Sequence, residues 1–538
     1  MKPYYRRKRL WFCVFLLAAI YFCLVPSPLR ISPETTGYTE PLMPNGDVDY
    51  FGVYEKTYID KLSPPEDNGQ RLLIAACGPR VLEQNSLMDA VPWEQLPTDE
   101  RSKQWFEEKW VPLCEHMSID PYARPRFLDS LDFYSFVNKQ RKEEKLEYHE
   151  LHEIWKGFVT APWTAEEHPD IARWLEQRSP VLDLFGVAVR KPNFVCWRWR
   201  PDDNGLIDIL LPDVQANRAF GRDLRVRITE RLGRGDIDGA WYDVMSMFYL
   251  SRKHYIHDPI IVVNLVGIAI EGQGWEAAKL VLRHEKTTPE QLEQFAKDLA
   301  SLTGKMVLDN AVFESNVIYV FLRHPPEFSY PGLIASDPSI SSPGYLAYIL
   351  PRFLVYLPID CNIAGKRITE FNNVERRVSG DSAWNINPTV MKKYSGHRDD
   401  LARKKAQQLR HPLSLLRVPL IRTRSQLLAD CLIATYVPAL QAARTALDRS
   451  NAQLDLLRIA VALERYRSAH GEYPAVLDAV VPTYLDEVPL DPFTGRLSLV
   501  YKPEPKDGKP FVLYSLGPNG IDDGGTTSKN FAEGDIVY

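Results

Sequence analysis

One stretch of this sequence, Leu10–Val25, is apolar from end to end, and Lys2, Arg6, Arg7, Lys8 and Arg9 stand directly before it. No charge follows until Arg30. A basic flank ahead of an apolar run marks a segment inserted in a membrane with its N-terminal side in the cytoplasm. At about 1.5 Å per residue the run covers roughly 24 Å, and Pro26, Ser27, Pro28 and Leu29 add uncharged length. Val25 and Ser27 have the size that a signal-peptidase site asks for. Pro28 would follow the cut and block it, and Cys23 follows Phe22 rather than the small residue of a lipoprotein site. The run therefore reads as a retained signal anchor, a single-pass helix in the cytoplasmic membrane with the body on the periplasmic or extracytoplasmic side. Tyr345–Leu357 is also apolar, but it is short and broken by Pro351 and Arg352, so it reads as core or partner surface.

The remainder has globular composition. Of 538 residues 25% are charged and 45% apolar, which excludes a disordered chain. A net charge of −5 leaves no footprint for bulk nucleic-acid binding. Beyond Cys13 and Cys23 in the anchor, only Cys77, Cys114, Cys196, Cys361 and Cys431 remain, with no Cys-x-x-Cys pair. That is neither a disulfide scaffold nor a zinc motif. A Cys77–Cys114 bridge fits an oxidising compartment, although buried free thiols are the expected state.

Along the chain the pattern is mainly that of an α protein. A basic tail (1–9) and the anchor (10–29) lead into a proline-rich stretch (30–70) that reads as an extended tether. Residues 71–212 read as a mixed α/β region, with Leu72–Ala76 as a short strand or the start of the first folded part and Val187–Arg200 as β-like. Residues 213–323 read as a helical domain of irregular, repeat-like hairpins. There Arg218–Leu232 and Ile237–Tyr255 flank the turn Gly233-Arg234-Gly235, and Thr288-Pro289-Glu290-Gln291 predicts a capped helix start. A proline-rich connector (324–380) and a helical region (381–452) follow, with helical pattern at Asp399–Gln408 and from about Leu413 to His470.

Motifs that could carry catalysis are sparse. In His149-Glu150-Leu151-His152-Glu153 the two histidines are three apart, whereas zinc histidines on one helical face stand four apart around the glutamate. The stretch reads as a solvated helix face. Arg222, Arg225, Arg227, Arg231 and Arg234 are interrupted by Asp223 and Glu230 and lack interleaved aromatics, so they read mostly as exposed charges on an amphipathic helix. Gly235–Gly239 and Asp202–Gly205 offer too few ligand positions for a calcium loop of the EF-hand type. No nucleophile elbow, Walker loop or dinucleotide fingerprint is present.

Residues 453–538 are the most informative. Leu456, Ile459, Ala460, Leu463 and Tyr466 form a helical stripe that ends at His470-Gly471 before Pro474. Val476–Val481 can form a short helix, and Leu497–Lys502 and Phe511–Ser515 alternate like strands. The sequence closes with a glycine-rich loop from Gly517 and the stretch Asp535–Tyr538. The pieces Leu463–Tyr466, Gly471–Pro474, Leu490–Phe493, Tyr514–Gly517, Asn519-Gly520, Gly524-Gly525 and Asp535-Ile536 occur in an order that resembles the C-terminal domain of the major pseudopilin of bacterial type II secretion. The resemblance implies a small α+β domain, a helix followed by antiparallel strands, at the end of a long single-anchor envelope protein. It also implies calcium in the loop, with the Leu516 carbonyl, Asn519, Asp522 or Asp523, Asp535 and additionally Glu533 as ligands. Eleven acids against five bases from Gly471 to Tyr538 agree in sign with a cation. Asn519 stands where an acid is common, which lowers the ligand charge. The anchor departs from pilins: it lacks their glutamate and their glycine cleavage site, and more than 400 residues separate it from the domain.

These features predict a non-enzymatic, membrane-anchored envelope protein that meets a protein partner through its body or its C-terminal module. The rivals are an exported hydrolase with a site assembled around His149–Glu153 or Trp163–His168, and an accessory component of a secretion machine. A cleft that groups carboxylates with His149 or His152 would favour the hydrolase.

Overall fold

The computed structural model describes residues 29–61, 65–81, 100–127, 130–140, 146–201, 206, 209, 211–302, 306, 311–323, 360–380, 421–504, 510–528 and 533–538. The expected anchor Leu10–Val25, the segment Tyr345–Leu357 and the helical pattern at Asp399–Gln408 lie outside the described residues. Among the described residues no helix is long and apolar enough to cross a membrane. The protein is mainly helical, with a small three-stranded antiparallel sheet near its C-terminal end. Its contacts divide it into two compact units.

The first unit comprises Met1–Tyr54, Pro201–Asp208 and Ala311–Ala442. Residues of the expected tether are folded here. Val48, Tyr50, Phe51, Val53 and Tyr54 are buried, and a helix begins at Tyr50. The Tyr50 hydroxyl donates to the Thr36 carbonyl at 2.6 Å, and its ring packs on Tyr38 and Tyr319. An extended chain could not satisfy so many large side chains, each worth about 1.5–3 kcal/mol when buried. The helices Ala311–Arg323 and Cys361–Gly380 pack together in this unit.

The second unit comprises Glu55–Arg200, Ile209–Asn310 and Ala443–Tyr538. Its helices used below are α1 (Gly69–Cys77), α2 (Phe133–Gln140), α3 (Tyr148–Gly157), α4 (Pro169–Ala188), α5 (Pro212–Arg234), α6 (Ile237–Tyr249), α7 (Ile261–Leu282) and α8 (Pro289–Ser301). To these is added α9, the part from Ala443 onward of a helix spanning Ile421–His470. The strands are β1 (Val500–Lys502), β2 (Val512–Ser515) and β3 (Ile536–Val537), in the order β1-β2-β3.

Helices α5, α6 and α7 form the centre of the unit. The α5–α6 hairpin turns where expected, with Gly235 in a left-handed conformation (φ 81°) that a side chain would strain. Helix α6 runs into a π-helical turn at Leu250–His254. Thr288 and Gln291 form the predicted capping box at the start of α8. Phe185 stacks on Phe220 at 4.8 Å and Trp241 on Phe295 at 4.0 Å, joining α4 to α5 and α6 to α8.

The expected α/β character of 71–212 is not found among its described residues, which are helical or irregular. Leu72–Ala76 lies within α1, started by an Asn68 cap. Residues 193–200 form no strand; one isolated parallel bridge joins Asn68 to Asn193. The side chain of Asn68 accepts from the Val195 amide and donates to its carbonyl, doing for one residue what a strand neighbour would do. Alternating apolar residues there fill the core without a ladder. Cys77, Cys114 and Cys196 are free thiols, so no Cys77–Cys114 bridge is present.

In the C-terminal part the predicted order holds: long helix, a short 3₁₀ turn at Leu477–Val480, then the three strands. Leu456, Leu457, Ile459, Ala460, Val461 and Leu463 are all buried. Residues 443–538 belong to the same compact unit as α1–α8. Arg465 pairs with Glu293, Arg458 donates to the Leu299 and Leu302 carbonyls, and Tyr538 packs edge-on against Trp275.

Candidate functional site

The C-terminal loop is built on Asp491. Its fully buried carboxylate accepts from the amides of Phe493 and Leu516 and from the Ser515 hydroxyl, all at 2.8–2.9 Å. Burial raises its pKa and these three donors oppose the rise. Asp491 thereby pins the end of β2, from which the loop departs. The next residue but one, Gly517, has φ 67°, and a Cβ there would sit 2.2 Å from the Gly534 carbonyl oxygen. Only glycine allows the two ends of the loop to approach so closely.

The loop brings its predicted ligands into three small groups. Asp535 is 1% exposed; its Oδ2 accepts from the amides of Gly525 (2.7 Å) and Thr526 (3.3 Å). Its Oδ1 is buried without a hydrogen-bond partner. Burial raises the Asp535 pKa, the nearby amides lower it, and the charge of Asp523 raises it further. Asp522 accepts from the Tyr514 hydroxyl (2.7 Å) and the Gly524 amide (2.9 Å), which lower its pKa. Asn519 donates to Asp523 at 3.0 Å and accepts from the Ile521 amide. Leu516 is buried and Glu533 is exposed. Among the described residues no group of three or more His, Cys, Asp or Glu stands close enough to hold a metal ion. The donors are all oxygens, the type a hard cation selects, and the orphaned Asp535 Oδ1 is the atom that such an ion would satisfy. Lys502 lies over the Tyr514 ring at 5.1 Å and supplies positive charge on the Asp522 side.

The His149–Glu153 stretch occupies α3, and its polar groups are spread rather than gathered. Glu150 closes a capping box with Glu147, Glu153 pairs with Lys156 at 2.6 Å, and His149 is exposed. Leu151 and Trp155 face the core. His152 lies between the rings of Tyr148 and Trp155, and its Nδ1 is 3.2 Å from the Tyr134 hydroxyl. Its neighbours are aromatic rather than acidic. Trp163 and His168 pack edge to face, and the Trp163 indole donates to the Phe158 carbonyl and the Thr229 hydroxyl.

The arginines of α5 correct the expectation of exposed charges. Arg225 and Arg227 are buried, and Arg227 forms a two-point pair with Asp243 at 2.6 and 2.8 Å, with Asp183 at 2.7 Å beside it. Arg231 also reaches Asp243. Arg225 donates to the Val159 carbonyl at 2.7 Å, just beyond the C-terminal end of α3 where backbone carbonyls concentrate partial negative charge. Burial lowers its pKa to about 10. Asp223 is held by Arg178 (2.9 Å) and the Phe133 amide, and burial still pushes it up to about 6. Arg198 pairs with Asp213 and lies 3.7 Å from Asp258, which burial likewise raises to about 6. Arg252, placed by the π-helical turn, pairs with Glu271 at 2.6 Å and donates to the Ser450 carbonyl of α9. A sequence shows the charges but not their partners, which lie 12 to 198 residues away.

No protein family, no curated protein and no solved structure matches this chain.

Proposed function

We propose that this chain is a membrane-anchored, non-enzymatic protein of the bacterial envelope that works by binding another protein, with its pseudopilin-like C-terminal part as the docking module. The observation that carries the reading is where large apolar side chains stay exposed. Val476, Leu490, Leu497 and Ile521, each 46–60% exposed, lie within that one small module and are four of the ten large apolar side chains exposed among the described residues. Scattered single apolar residues are ordinary on a surface, but four in so short a segment offer area to a partner. Arg178, Arg198, Arg227 and Arg252 are each spent on an internal carboxylate, the arrangement of a structural network.

The cation reading belongs to the same module. Asp535 Oδ1, the Leu516 carbonyl, Asn519, Asp522 or Asp523 and Glu533 would hold calcium, which would draw the loop together where packing alone does little. Its support is the buried, unpartnered Asp535 oxygen beside the like charge of Asp523.

A photocrosslinking residue placed at Leu497 or Ile521 of the full chain in living cells tests the docking role. One discrete, saturable adduct is expected at these positions and not at exposed Glu153 on α3. No adduct at any of Val476, Leu490, Leu497 and Ile521 would overturn the reading.

A further inference from the structure

Helix α5 carries two kinds of arginine. Arg227, Arg231 and Arg234 each meet a carboxylate. Arg218 and Arg222 meet none among the described residues: Arg218 donates only to the side chain of Gln215, on its own helix. The Arg222 guanidinium lies over the Tyr134 ring, 4.4 Å from its centre, and its Nε is buried without an acceptor. Arg218 and Arg222 stand four residues apart, on one face of α5. The Tyr134 phenol is where α2 and α3 meet α5, for its hydroxyl contacts His152 Nδ1 at 3.2 Å and its ring packs edge-on against Tyr148. Tyr148 is 59% exposed, so the group opens to solvent on that side. The backbone of Arg222 is fixed in place, because its carbonyl accepts from the buried Trp155 indole at 3.1 Å.

One guanidinium, a phenol and an imidazole thus meet at one half-open point with Arg218 one helical turn away, and neither Arg218 nor Arg222 meets a carboxylate among the described residues. Withdrawing a guanidinium nitrogen from water with no acceptor is costly, and an anion at this point would supply the missing one. We propose that the point where α2, α3 and α5 meet binds an oxyanion, a phosphoryl or carboxylate group held by Arg218 and Arg222, with the Tyr134 hydroxyl as a further donor. The arrangement suits recognition rather than reaction, since no nucleophile or carboxylate base stands with it among the described residues.

Melting of the full-length protein in detergent, at constant ionic strength set with chloride, tests this with inorganic phosphate and acetate as probes. Phosphate, acetate or both should raise the melting temperature, and the probe that does so tells phosphoryl from carboxylate recognition. Arg222→Gln should weaken the apparent affinity by about tenfold or more, the size of a lost charge-assisted contact. Arg218→Gln, at a half-exposed position with no tertiary partner, should weaken it as well and guards against a folding defect in the first variant. Arg234→Gln, which removes a charge already matched by Glu230 and Asp236, should leave it unchanged. No rise with either probe, or a rise that survives in both Arg222→Gln and Arg218→Gln, would overturn the proposal.

Discussion

His254 shows what burial does to a single titratable group in this protein. It is 5% exposed, and its Nε2 lies 2.8 Å from the Val189 carbonyl, to which the neutral ring donates. Burial lowers its pKa from 6.5 to about 4, and the charges of Lys253 and His257 act in the same direction. Since the folded pKa lies below the unfolded one, the folded state binds the proton less readily. The neutral ring therefore contributes stability above about pH 6.5, and that contribution is lost as the pH falls towards 4. At about 1.4 kcal/mol per pH unit the full effect is on the order of 3 kcal/mol. Asp223 and Asp258, raised by burial to about 6, act the opposite way, losing stability as the pH rises from about 4 to 6. Comparison of variants separates the two. His254→Gln keeps a donor for Val189 without the titration, so denaturant unfolding between pH 7 and pH 4.5 should show a smaller acid loss than in the parent. An identical pH slope in the two proteins would remove His254 from this role.

At the scale of elements, local chemistry was readable and long-range pairing was not. The Thr288 capping box, the glycine turn after α5 and the alternation of the C-terminal strands depend on neighbours in sequence, and each stands where its residues predicted. Burial on α5 depends on Arg178 and Asp183 of α4, which meet Asp223 and Arg227, and on Asp243 of α6, so charged side chains that look solvated are core. Val187–Arg200 likewise read as β-like, but its first two residues end α4 and the Asn68 side chain replaced the partner that a ladder needs. Of the candidate site, the acidic excess of the tail was legible from composition, and the choice of loop residues came from the pseudopilin resemblance. Asp491, which ties β2 to the loop, was visible only as part of a turn, because nothing local marks a carboxylate that serves amides 25 residues away. The loop makes its own prediction. Residues 443–538 share a compact unit with α1–α8, so the full chain is the object to study. Calcium should raise its melting temperature by binding only the folded loop, and Asp535→Ala should abolish the increment whatever it does to the starting value. Glu533→Gln, at an exposed position, should reduce it less. No increment at millimolar calcium, or one that persists without the Asp535 carboxylate, would contradict the cation site.

For the whole molecule, compartment is the premise on which the rest depends. On the proposed reading, the docking module and the calcium loop would work on the outer side of the cytoplasmic membrane, where the basic flank and the apolar run Leu10–Val25 would place the body. Cys77 and Cys114 are free thiols, and burial raises them to about 11 and about 12, which keeps both protonated and slow to oxidise wherever the protein resides. The direct test is protease added to spheroplasts that express the full chain with an epitope near each end, followed by separation of membranes from the soluble fraction. The account predicts that the body is digested from outside while a short N-terminal fragment survives in the membrane pellet. A body protected in intact spheroplasts, or an undigested chain released into the soluble fraction, would contradict it.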